Sequence, residues 1–83
     1  MAGLAQPVSL SRAAWAALRD GLIAPACAAA TGDELVPRTR LEAAWADAHT
    51  EGERVSVFLK PDDATTLAAL LDAHPELAGL LAS

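Results

Sequence analysis

The sequence predicts an α+β fold: a small, helix-dominated domain in which three to four short helices cover a two-stranded sheet. Three observations lead there. Apolar residues recur at helical spacing in three separate segments, and one short run alternates with the period of a strand. The chain has 83 residues, enough for one hydrophobic core and not for two. Residues 1–83 are therefore expected to form a single domain, with residues 1–6 loose at its start.

The elements follow in order. Pro7 feeds a short extended run, Val8-Ser9-Leu10. Ser11 stands where an N-cap belongs, and Ala14, Trp15, Leu18 and Leu22 then repeat at the spacing of one helical face. The first helix is expected over 11–22. Pro25 must kink or restart it, because proline removes an amide and clashes with the preceding turn. Thr31-Gly32 is the stop, and 33–37 reads as a connection. Thr39-Arg40-Leu41-Glu42 has the capping-box pattern, so a second helix is expected over 39–51, with Leu41, Ala44, Trp45 and Ala48 on one face. It would end before Gly52.

Arg54 to Leu59 then alternates, with Val55, Val57 and Leu59 to one side and Ser56 and Phe58 to the other. This is the strand of the chain that the sequence marks most clearly. Pro61-Asp62-Asp63 opens a third helix, proline suiting the first turn and the carboxylates suiting the positive end of the helix dipole. Ala64, Leu67, Leu70 and Leu71 form its apolar face, and His74-Pro75 ends it. Leu77, Leu80 and Leu81 ride on a last helical turn or two. An internal echo links the halves: Val8, Leu10, Leu18 and Leu22 match Val57, Leu59, Leu67 and Leu71 at a constant offset of 49 residues. Two strand-then-helix units would place 8–10 beside 55–59.

Composition narrows the function. Acidic residues outnumber basic ones 11 to 6, for a net charge of −5. Without a basic excess there is little counterion-release energy for nucleic acid or anionic membranes, so neither is an expected partner. Five arginines, a single lysine and 21 alanines suggest a GC-rich genome. Cys27 is the one cysteine, which excludes an internal disulfide and suits a reducing cytoplasm. The longest apolar stretch, 22–30, is interrupted by Pro25 and falls far short of the roughly 20 residues a membrane span needs.

No catalytic, cofactor or metal signature emerges. His49 and His74 lie 25 residues apart, and with Cys27 they form no metal-ligand spacing. Cys27 in an alanine run is a small hydrophobe without a base beside it in sequence. Asp62 and Asp63 are helix-initiating residues, since neighbours on a helix point in different directions. The five glycines are scattered singly, and none belongs to a phosphate-cradling loop. Trp15 and Trp45 read as core.

Segment 55–74, a strand leading into a helix with Pro-Asp near its start, resembles the opening of ribbon-helix-helix repressors. That resemblance implies a dimeric transcriptional regulator or antitoxin whose strands pair across the dimer and read the major groove. Here the outward residues would be Ser56 and Phe58, flanked by Arg54 and Lys60, a poor set for phosphates or bases. The expected function is instead that of a non-enzymatic protein-protein interaction module. Phe58, Leu70, Leu77, Leu80 and Leu81 are its expected contact residues, because one small core cannot face them all. Homodimer formation is expected through the Phe58 strand, and an unidentified protein partner through the same surface. A small-ligand binder or enzyme is the remaining alternative; a concave pocket with convergent polar groups would mark it.

Overall fold

The structure, a computed structural model, describes residues 6–82. Three strands are described: β1 (Gln6–Ser11), β2 (His49–Glu51) and β3 (Arg54–Leu59). They form one antiparallel sheet in the order β1-β3-β2. The helices are α1 (Arg12–Leu18), α2 (Ala24–Ala29), α3 (Leu35–Ala46), α4 (Pro61–Ala73) and the short α5 (Pro75–Ala78). The α+β expectation holds, with a third strand added. Gln6 opens β1, and the other residues expected to be loose lie outside the described ones.

β1 and β3 pair as the echo suggested, Val8 opposite Val57 and Leu10 opposite Val55. Opposed residues share a face of the sheet, so Leu10, Val55, Val57 and Leu59 are buried together, with Val8 packed against them. The 49-residue offset carries Val8 onto Val57, the residue it faces. α1 and α4 begin at Arg12 and Pro61, again 49 apart. The repeat and the register thus agree: the offset that matches the two strand-helix units in sequence is the one that pairs their strands about Val8 and Val57.

Ser11 caps α1 as expected, its Oγ accepting from the Ala14 amide at 3.1 Å. The helix does not end at Leu22. It widens into a π-turn over Arg19–Ile23 and resumes as α2 with Pro25 in its first turn. Pro25 cannot donate to the turn below and its ring needs room there, and one extra residue in that turn supplies the room. Ala14, Leu18, Leu22 and Ile23 reach the core from this composite helix.

The second helix differs from the expectation of 39–51. It runs from Leu35 to Ala46, introduced by a 3-10 turn at Gly32–Glu34, and the capping box is Thr31 with Glu34 rather than Thr39 with Glu42. Pro37 lies inside its first turn, where no amide is required. Leu41 and Trp45, one turn apart, are fully buried. Trp15 and Trp45 exchange hydrogen bonds, each indole Nε1 donating to the other's carbonyl at 3.0 and 3.1 Å. The tryptophans thereby fasten α1 to α3.

Residues 49–51, expected at the end of a helix, are β2. A two-residue turn, Gly52-Glu53, joins β2 to β3, with Glu51 opposite Arg54. Gly52 has φ +60°, and a positive angle at the first turn position matches strand twist and favours glycine. The Arg12 side chain donates to the Gly52 carbonyl at 2.9 Å. The hairpin makes β3 the central strand over Arg54–Ser56, whereas Val57–Leu59 pair with β1 alone among the described strands. The Phe58 strand is therefore an edge over its second half and not along its whole length.

Candidate functional site

Helices cover one face of the sheet. The other face carries Pro7 and Ser9 from β1, Ser56 and Phe58 from β3, and His49 and Glu51 from β2. Phe58 is 54% exposed there. Ser56 sits between Ser9 and His49 in the register, so small and polar side chains surround the aromatic ring. Arg54 donates to Ser9 Oγ at 3.2 Å across the same face.

At the edge of this face a half-open cleft of about 350 Å³ is lined by Arg40, Ala44, Asp47, Phe58, Lys60 and Asp63. Three segments build it. Arg40, Ala44 and Asp47 fall at i, i+4 and i+7, one stripe of α3, beside the buried stripe of Leu41 and Trp45. Phe58 and Lys60 alternate outward from the end of β3. Asp63 lies in the first turn of α4, four and seven residues before Leu67 and Leu70, on the helix's core-facing stripe.

Asp63 is the one described charged residue that is buried, at 3% exposure. No hydrogen bond or ion pair from another described residue reaches its carboxylate. Among the described residues no sealed side-chain oxygen lacks a partner, so the Asp63 oxygens open onto the cleft. Arg40, Asp47 and Lys60 likewise make no ion pair among the described residues.

Two of these charges stand where helix dipoles disfavour them. Asp47 is the C-cap of α3, at its negative end, and Lys60 is the N-cap of α4, at its positive end. In the first strand-helix unit the positions of Lys60 and Asp63 are held by Ser11 and Ala14, a working cap and a core alanine. Charges that oppose local stability and remain unpaired are the kind of inconsistency that marks a working surface.

The other expected contact residues are placed differently. Leu70 is buried in the core at 8% exposure. Leu77, Leu80 and Leu81 are partly buried and pack against that core, because α5 and the following 3-10 turn, Gly79–Ala82, fold back over it. Part of each side chain remains accessible, and none of the three is among the large exposed apolar residues. The large exposed apolar residues are Leu35, Val36 and Phe58. Val36 lies one turn before Arg40 and extends the cleft-facing stripe of α3.

The remaining candidates are structural. The Cys27 thiol donates to the Arg38 carbonyl at 3.0 Å. Burial, reinforced by the charge of Glu42, holds it above the ordinary thiol range, the opposite of an activated nucleophile. Arg38 bridges Ala26 O at 3.1 Å and Glu34 at 3.2 Å, joining α2 to α3. His49 lies in β2 near Glu51, and His74 caps α4 near Glu76. Among the described residues no group of three or more potential ligands could hold a metal ion, and no helix is long and apolar enough to cross a membrane. Comparison with protein families, curated proteins and solved structures finds no match to this chain.

Proposed function

We propose that this chain is a non-enzymatic interaction protein of the cytoplasm that meets another polypeptide across the open face of its sheet, and that this polypeptide is a second copy. The observation that carries the reading is Phe58, more than half exposed where the open face of the sheet meets the α3 cleft. Burying such a ring contributes about 2 kcal/mol per copy. Glu51 and Arg54 stand opposite each other on this face, so it is close to neutral locally. The rest of an acidic molecule repels its copy, which leaves this face as the surface of easiest approach. Two sheets packed face to face about a two-fold axis would cover both rings.

Sedimentation equilibrium tests this reading. The unmodified chain should dimerise at about 0.1 mM, a free energy near −5 kcal/mol. Phe58→Glu and Ser56→Glu should both be monomers with thermal midpoints close to the parent's. An unmodified chain that stays monomeric at about 1 mM would remove the support.

The ribbon-helix-helix resemblance supplies a second reading, favoured by the antiparallel pairing of the β1-α1 and β3-α4 units in the register of the repeat. One chain here holds the antiparallel ribbon that the family assembles from two. Its outward residues Ser9, Ser56 and Phe58 carry no charge, its outward cation Arg54 donates to Ser9 Oγ and faces Glu51, and Arg12 is engaged with the Gly52 carbonyl. A DNA-reading ribbon needs phosphate contacts around it, so this reading ranks below the first. Small-ligand binding is a third reading, and the charged cleft favours it.

A further inference from the structure

We propose that the cleft between α3, the end of β3 and the start of α4 binds a small zwitterion of the α-amino acid class. The ammonium pairs with Asp63, the carboxylate pairs with the cations Arg40 and Lys60, and the Phe58 ring forms the wall against the ligand's side chain. This inference rests on the small-ligand reading of the cleft and shares only Phe58 with the self-association reading.

The charge set selects the ligand. Two cations and two carboxylates line the cleft, and none is paired with a described residue. A bare cation entering it would meet Arg40 and Lys60, and a bare anion would meet Asp47 and Asp63. A molecule carrying both signs a few ångströms apart satisfies both sets. The volume of about 350 Å³ lies at the small end of ligand sites, which run from about 300 to 1,000 Å³, and so calls for a small molecule.

Asp63 supplies the second, independent line. Asp63 is 3% exposed as a residue, takes no hydrogen bond from the described residues, and presents its carboxylate oxygens only toward the cleft. Serving the α4 dipole does not account for it. Asp62, its exposed neighbour in the same first turn, does that without burial. An ammonium with three donors would convert the buried carboxylate into a charge-assisted pair. Arg40 presents the planar fork that matches a carboxylate, and Lys60 adds a point charge beside it.

The first strand-helix unit acts as an internal control. At the positions equivalent to Phe58, Lys60 and Asp63 it carries Ser9, Ser11 and Ala14, a set with no charge and no aromatic ring. The same local architecture folds with a capped helix there. The cleft's residues are therefore not required by the strand-to-helix geometry.

The test is an amide-shift titration of the isotopically labelled full chain with each of the twenty amino acids as probes, at about 10 mM, enough to populate a millimolar site. Ethylamine and acetate serve as single-charge probes. At least one amino acid should give saturable shifts confined to 40–47 and 58–64, at least about tenfold tighter than either single-charge probe. Asp63→Asn and Lys60→Met should each weaken it by about tenfold or more while leaving the rest of the spectrum in place. Ser56→Glu, on the sheet face outside the cleft, should bind at least as tightly as the parent does. Absence of any saturable amino acid, binding that survives Asp63→Asn, or equal binding of ethylamine or acetate would each overturn the proposal. Because Ser56→Glu is monomeric on the self-association reading and keeps every cleft residue, its titration separates failure here from failure of that reading.

Discussion

At the scale of single residues, side chains that look alike in sequence are separated by their surroundings. Asp62 and Asp63 are adjacent, yet one is exposed and the other buried. The signal was present in the spacing: Asp63, Leu67 and Leu70 fall on one stripe, so the third helix's apolar face includes a carboxylate. Reading the pair only as helix initiators missed it. Cys27, in contrast, reads correctly as a packed thiol. Its pKa is raised by burial first and by Glu42 second, so the neutral thiol stabilises the folded state. That contribution is complete below the unfolded thiol's pKa and is lost as pH rises through the folded value. Alkylation of Cys27 by iodoacetamide should accordingly be slower in the native chain than in denaturant near pH 8.5, with its native onset at higher pH. Equal rates in the two states would mean the thiol is neither shielded nor shifted.

At the scale of elements, β3 and α4 were legible because strong local signals agreed. A β-branched alternation ran straight into Pro-Asp-Asp. β1 was legible through its 49-residue match to β3. β2 was not, because His49, Thr50 and Glu51 are all exposed and a strand without a buried face has no hydrophobic alternation to show. Its sequence signal is Gly52 alone, followed by one residue and a strand. The start of α3 was misplaced because Pro37 reads as a boundary, although a first turn accepts it. Two glycines give opposite predictions. Gly21 lies in the π-turn at negative φ with open space where a Cβ would go, so Gly21→Ala should raise stability by about 0.5–1 kcal/mol. Gly52 also has open space, but its φ of +60° disfavours any side chain. Gly52→Ala should lower stability by about 1 kcal/mol. Urea midpoints that move in the same direction for both would contradict these assignments.

At the scale of the molecule, the sequence indicated one small α+β domain, and the structure adds that its two strand-helix units pair their strands in the register of the 49-residue repeat. The repeat stops at the cleft. One unit ends its strand in a serine cap, and the other ends in Lys60 and a buried Asp63. The cleft was illegible beforehand because its lining comes from α3, β3 and α4, and only the packing of α3 beside the sheet brings them together. Its two cations and two carboxylates cancel, so the whole excess of −5 lies elsewhere on the surface. The asymmetry therefore concentrates unpaired charge where the fold itself does not need it.

On the zwitterion proposal, Asp63 is held buried and unpaired for binding rather than for folding. Urea unfolding of Asp63→Asn, which keeps the side chain's size and removes its charge, tests it most directly, with Asp62→Asn as the exposed comparison. Relief of a buried charge offsets the lost dipole interaction, so the Asp63 variant should be as stable as the parent or more stable. Asp62→Asn, with no burial to relieve, should lose about 0.5 kcal/mol. A loss of more than about 1 kcal/mol in Asp63→Asn would make the carboxylate part of the fold and contradict the account.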